Sequence, residues 1–278
     1  MARYGIKTPN QHTTWETMLE IWQEADDIEV FETAWNWDHL YPLRGDPHGS
    51  SLDGWVTLAA LAQATKRIGI GTMVNGMHFR HPAITASMAA SLDHISGGRL
   101  NLGLGAGWFE SEAEANGIEL GTIKQRMDRF DEGLEVIVSL LSNEATTFDG
   151  DYYQLMEARS EPKPVQRPHP PIVIGGTGRK RTLRAVARWA QMWDALRADA
   201  DEWQELSEIL DEHCAAVGRD PSEINRSVHI SYGKDDDVAQ LADEAAARLD
   251  AGVDVVVFTM ASPYDLAMIE PLATALAA

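Results

Sequence analysis

Short apolar or β-branched runs alternate with longer stretches of helical spacing along the whole chain. No other feature constrains the fold as much. RYGIKTP precedes TTWETMLEIWQEADDI, in which Trp15, Met18, Leu19 and Trp22 recur at helical spacing. ETAWNWDHL precedes WVTLAALAQAT. RIGIGTMV precedes AITASMAASLDHIS, with Pro82 near the helix start. RLNLGLGAG precedes a helix around RMDRFDEGLEVIVSLLS. IVIGG, MWDAL, SVHISYG and VDVVVFTM follow, each leading into a further helical pattern. Repeated strand–helix units predict a parallel sheet, and eight of them predict an α/β fold of the (β/α)8, TIM-barrel type. A doubly wound open sheet is the alternative, and no internal repeat decides between them. Residues 1–278 are expected to form one domain, since barrels of this length are single domains.

One connection is longer than the rest, between strands four and five. It contains TTFDGDYYQL, where Asp149-Gly150 marks a tight turn. It ends in EPKPVQRPHPP, whose prolines exclude a helix and read as an extended surface segment. In either α/β architecture, chemistry is expected at the strand ends and in the loops just after them.

Charge narrows the partners. The formal net charge is -20, which opposes binding to nucleic acids and anionic membranes. An anionic ligand therefore needs a local site, and a small molecule is the expected partner. The single cysteine, Cys214, excludes an internal disulfide. No signal peptide and no apolar run of membrane-spanning length is visible, so a reducing cytoplasm is expected.

The stretch PPIVIGGTGRKRTLRAV is the local exception to the acidity. Gly175, Gly176 and Gly178 let backbone approach a ligand, and the helix expected near Lys180 offers unpaired N–H groups and a positive dipole end. Thr177 and Thr182 add hydroxyls, and Arg179, Lys180 and Arg181 add charge. The chemistry suits a phosphate. The stretch is not a P-loop, because the spacing to a Gly-Lys-Ser/Thr is missing, and not a dinucleotide fingerprint, because Arg181 stands where the third glycine would be. An ordinary strand-to-helix turn is the alternative.

Three other stretches fall at strand ends. Gly103–Trp108 also lacks a third glycine and reads equally as a flat-ligand wall or as close helix packing. His39, in WNWDHLYP, has the position and chemistry to move a proton. Asp38 beside it is an acid that could orient it, although strand neighbours point to opposite faces. VNGMHFRHP holds His78 and His81 in a loop without neighbouring acids or cysteines, which argues against a metal. No Gly-x-Ser-x-Gly is present.

The runs WDHLYP, MHFRHPAITASMAASLDHISGGRLNLGLGAGW, FDGDYYQL and PKPVQRPHPPIVIGGTGRKRTLR resemble the bacterial luciferase-like monooxygenase superfamily. More closely, they resemble its actinobacterial branch of oxidoreductases using coenzyme F-420, a deazaflavin. The resemblance covers about the first two thirds of the chain. It implies a (β/α)8 barrel with the cofactor at its C-terminal mouth and the phosphate on Gly175, Gly176, Thr177 and Gly178. On charge, Arg179, Lys180 and Arg181 would then meet the anionic phosphate and oligoglutamate tail. It implies that Met73, Val74 and Asn75 form a backbone bulge against the ring, sometimes with a non-proline cis bond in relatives. Ala106, Gly107 and Trp108 form another wall. His39 and Glu112 map to the reactive centre.

The expected activity is hydride transfer between F-420 and a small organic substrate, by a homodimer. The alternatives are an FMN-dependent monooxygenase and a non-catalytic F-420-binding protein. Ala113 and Asn116 replace a histidine and an aromatic common in that branch, and the glycine usual before Phe31 is missing. These departures bear on the substrate pocket more than on the cofactor.

Overall fold

A computed structural model describes residues 3–278. Eight parallel strands close into a ring: Arg3–Lys7, Phe31–Asn36, Gly69–Thr72, Leu100–Gly105, Ile172–Gly175, Met192–Asp194, Asn225–Tyr232 and Val255–Met260. Closure is explicit in the register. The first strand pairs with the eighth, Ile6 opposite Phe258, and with the second, Ile6 opposite Ala34. The third pairs with the fourth, Ile70 opposite Leu100. The open sheet is thereby excluded, and the fold is a closed (β/α)8 TIM barrel.

The eighth strand, VVVFTM, is buried at every residue. A strand covered by helices on one face and by the barrel interior on the other has no wet side, so it shows no alternation. Inside the ring, Trp35, Val173, Met192, Val255 and Val257 pack into a core under the mouth. Outside it, a larger core fills the space between strands and helices, with Trp22, Phe31, Phe130 and Phe258 fully buried. Each such side chain contributes roughly 1.5–3 kcal/mol through area removed from water.

Several of the helices begin where side chains cap them. Thr14, Asp53, Asp199 and Asp237 accept from backbone N–H groups in the first turns, and Thr122 and Gln125 form a capping box. Each cap is worth about 1 kcal/mol. Among the described residues, no helix is long and apolar enough to cross a membrane.

Two features lie outside the ring. Asn75–Gly76 forms a two-residue strand beside the fourth strand, Asn75 opposite Leu104. The long connection carries an antiparallel hairpin, Thr146–Asp149 with Gln154–Ala158, turned at Asp149-Gly150. The helix expected near Lys180 starts at Thr182. The second strand ends at Asn36, three residues before His39. Asn36 turns its amide sideways, donating to the Gly54 carbonyl at 2.7 Å and accepting from Thr72 at 2.9 Å. His39 therefore stands on a loop above the ring.

Candidate active site

A cavity of about 620 Å³ opens at the C-terminal mouth of the barrel. His39 reaches it from the loop after the second strand, and Glu112 from the short helix Glu110–Ala115 after the fourth. His39 Nδ1 lies 2.8 Å from Glu112 Oε2. The other oxygen of Glu112 accepts the Leu40 N–H at 2.6 Å and the Tyr41 N–H at 3.4 Å. Glu112 is fully buried. A carboxylate only accepts, so Nδ1 carries the proton toward it and Nε2 is left as the free nitrogen. Trp37, Trp108 and Phe109 surround the imidazole edge-on, with ring centres 5.9–6.2 Å away.

Asp38 does not orient His39. It takes Arg80 in a bidentate pair at 2.6 and 2.9 Å. Adjacent residues point apart, which leaves the histidine to an acid far along the chain.

Met73 and Val74 follow the third strand, and the peptide bond between them is cis. Val74 projects between the fourth and fifth strands. A Cβ on Gly105 would stand 2.7 Å from one of its methyls, and a Cβ on Gly175 3.1 Å from the other. Gly176 has φ +124°, a backbone conformation that side chains rarely adopt. Its N–H donates to the Asp194 carbonyl at 2.9 Å, and its carbonyl accepts from the Trp193 indole at 2.9 Å. The glycine corner is thus tied to the sixth strand.

Of the residues singled out in the sequence, His39, Glu112, Met73, Val74, Ala106, Gly107, Trp108, Gly175 and Gly176 line the one cavity. Asn75 lies beneath it, donating to the Gly103 carbonyl at 2.6 Å. Thr177, Gly178, Arg179 and Lys180 stand off the wall, and Thr182 replaces them on it. The basic run is partly spoken for: Arg179 pairs with Glu205 at 2.7 Å, and Arg181 with Asp128 and Asp131 at 2.5 Å each.

Sequence reasoning passed over a second polar group on the wall: Lys7, Asp194, His229 and Thr259. They come from the first, sixth, seventh and eighth strands. Asp194 Oδ1 lies 3.2 Å from His229 Nε2 and accepts the Leu196 N–H at 2.9 Å. Burial alone would raise the Asp194 carboxyl, but the His229 and Lys7 charges outweigh it and hold it below the usual range. Burial pushes His229 down, against the pull of Asp194. The available signal was a charged or polar residue interrupting a strand otherwise buried on both faces.

Trp37 Nε1 and both ring nitrogens of His78 are buried on this wall without hydrogen-bond partners among the described residues. Burial pushes the His78 imidazole down to about 4, so it is neutral near pH 7. Orphaned donors and acceptors in a preformed cavity suit a planar ligand with polar edges.

The model of the luciferase-like monooxygenase family matches residues 2–273. An uncharacterised protein of Mycobacterium tuberculosis is 33% identical over 78% of this chain and 73% of its own. An F-420-dependent hydroxymycolic acid dehydrogenase of the same organism is 32% identical over 87% of this chain and 67% of its own. Among solved structures, an F-420-dependent secondary alcohol dehydrogenase in complex with an F-420–acetone adduct superposes with a TM-score of 0.89. It is 21% identical and covers 99% of this chain and 98% of its own.

Proposed function

This chain belongs to the luciferase-like monooxygenase family, and we propose that within it the protein is an F-420-dependent oxidoreductase acting on a small organic substrate. The observation that carries this reading is the His39–Glu112 pair, set at 2.8 Å on the same cavity wall as Val74 and the Gly175–Gly176 corner. The whole chain serves as one barrel domain in this account.

Gly175, Gly176 and Thr182 would hold the cofactor phosphate, Val74 would support its ring, and Ala106, Gly107 and Trp108 would wall it. The orphaned nitrogens of Trp37 and His78 fit the polar edge of such a ring. When bound, the deazaflavin supplies two-electron hydride chemistry with little oxygen activation. His39 Nε2 takes or returns the proton that accompanies the hydride, while Glu112 fixes the imidazole tautomer and steadies it when charged. Trp37, Trp108 and Phe109 keep water from the imidazole.

A panel of alcohols and carbonyl compounds, assayed under nitrogen with oxidised and reduced F-420, tests the reading. Turnover with some member is expected. Tight F-420 binding with no turnover in either direction would leave only a carrier.

A further inference from the structure

Among the described residues, three basic side chains face the cavity with no carboxylate within 4.0 Å of their charged ends. Lys7, at the end of the first strand, is 5% exposed. Among the described residues its ammonium makes no hydrogen bond and no ion pair within 4.0 Å. It lies over the Trp37 ring, 5.5 Å from the centroid. Burial pushes it down to about 8, Arg197 adds to the depression, and Asp194 resists it. Arg44 and Arg197 stand at the exposed rim, and their side chains likewise have no carboxylate within 4.0 Å among the described residues. Arg197 is held below its ordinary value by burial and by the charge of Arg44.

The acids on the wall do not neutralise this group. Asp38 is committed to Arg80, and Glu112 to His39. Asp194 is engaged with His229 and the Leu196 N–H, and a neutral His39 leaves the Glu112 charge in place, so two carboxylate charges stand against three cations. In a chain with 43 carboxylates for 23 lysines and arginines, a counter-ion was readily available to each of these cations.

His39, Val74, Trp108 and Gly175 belong to the second to fifth strands and the loops after them. Lys7 and Arg197 belong to the first and sixth, on the other half of the mouth. Arg44, from the loop after the second strand, lines the same cavity as Arg197. A cofactor with its phosphate at the glycine corner and its ring on Val74 fills the first half and leaves the cations facing the second.

We propose that the substrate carries an anionic group, a carboxylate or phosphate, seated between Lys7 and the Arg44–Arg197 pair. This inference rests on the reading of the protein as an F-420 enzyme. The anion gives the buried ammonium its missing partner, and charge-assisted hydrogen bonds are among the stronger ones. The rest of the substrate then extends toward His39.

The test uses F-420-loaded protein titrated with inorganic phosphate and with acetate at constant ionic strength, chloride serving as control. Deazaflavin fluorescence and thermal shift are the readouts. Saturable binding of at least one anion is expected. It should weaken at least tenfold in Lys7→Met and in Arg197→Met, with F-420 affinity within threefold of wild type. Arg197 is at the exposed rim, so its variant serves if the Lys7 variant fails to fold. Absence of saturable binding, or equal binding by the Arg197 variant, overturns the proposal. Joint loss of anion and F-420 affinity also overturns it, by assigning the cations to the cofactor's own anionic tail. If wild type binds no F-420 at all, the earlier reading has failed. Anion titration of the unloaded protein then decides this one by the same comparison of wild type with Arg197→Met.

Discussion

Glu112 holds His39 from two sides at once: one carboxylate oxygen lies 2.8 Å from Nδ1, and the other accepts the Leu40 N–H at 2.6 Å. The acid thus fixes both the ring and the loop that carries it. His39→Ala should lower turnover by about 10²–10⁴, with F-420 affinity changed only a few-fold. Glu112→Gln keeps the shape but removes the charge that supports an imidazolium, and should lower turnover by about tenfold or more. Steady-state rates and fluorescence titration of each variant give both quantities. Equal loss of rate and affinity would make His39 a binding residue.

Lys7 gives the stability of the protein a pH signature. Its folded value of about 8 lies below the ordinary 10.5. Between those values the unfolded chain keeps a proton that the folded chain has released, so stability rises with pH through the window. Below pH 8 the buried charge costs on the order of 3 kcal/mol. Lys7→Met removes this cost. The melting temperature of Lys7→Met relative to wild type should therefore fall as pH rises from about 8 to about 10.5. A difference independent of pH would contradict the buried, unpaired ammonium.

Gly176 tests the phosphate corner. Its φ of +124° is strained for any side chain. Gly176→Val should weaken F-420 binding at least tenfold by moving the turn beneath the phosphate. Unchanged affinity by equilibrium titration would remove the corner from the cofactor site.

The basic run divides into Arg181, held by structural ion pairs, and Lys180, which lies off the cavity wall and is left for the cofactor's anionic tail. Arg181 bridges Asp128 and Asp131 while partly buried, so Arg181→Ala should cost about 1 kcal/mol of stability. Lys180 makes no ion pair among the described residues. Lys180→Ala should weaken F-420 binding more than FMN binding, and the effect should fade at 0.5 M salt, on the order of a 4 Å screening length. Denaturant melts and titrations at two ionic strengths separate the two roles.

The barrel was legible because short strand-forming runs recur eight times, each followed by a stretch of helical period. The mouth was legible in part. His39, Gly175 and Gly176 mark strand ends in the sequence, and the resemblance supplied Glu112. The acid that orients His39 stands 73 positions away, so no local pattern joins the two. Lys7, Asp194, His229 and Thr259 come from four strands and meet only when the ring closes. Arg44 and Arg197 are surface-like in sequence, and only the fold brings both to one cavity.

Equilibrium binding of F-420 and FMN to the purified protein, side by side by fluorescence quenching, tests the central claim most directly. Tight binding of F-420 and weaker binding of FMN are expected. Preference for FMN would contradict it and move the protein to the oxygen-using side of the family. Binding of neither would contradict the assignment of the barrel mouth as a cofactor site.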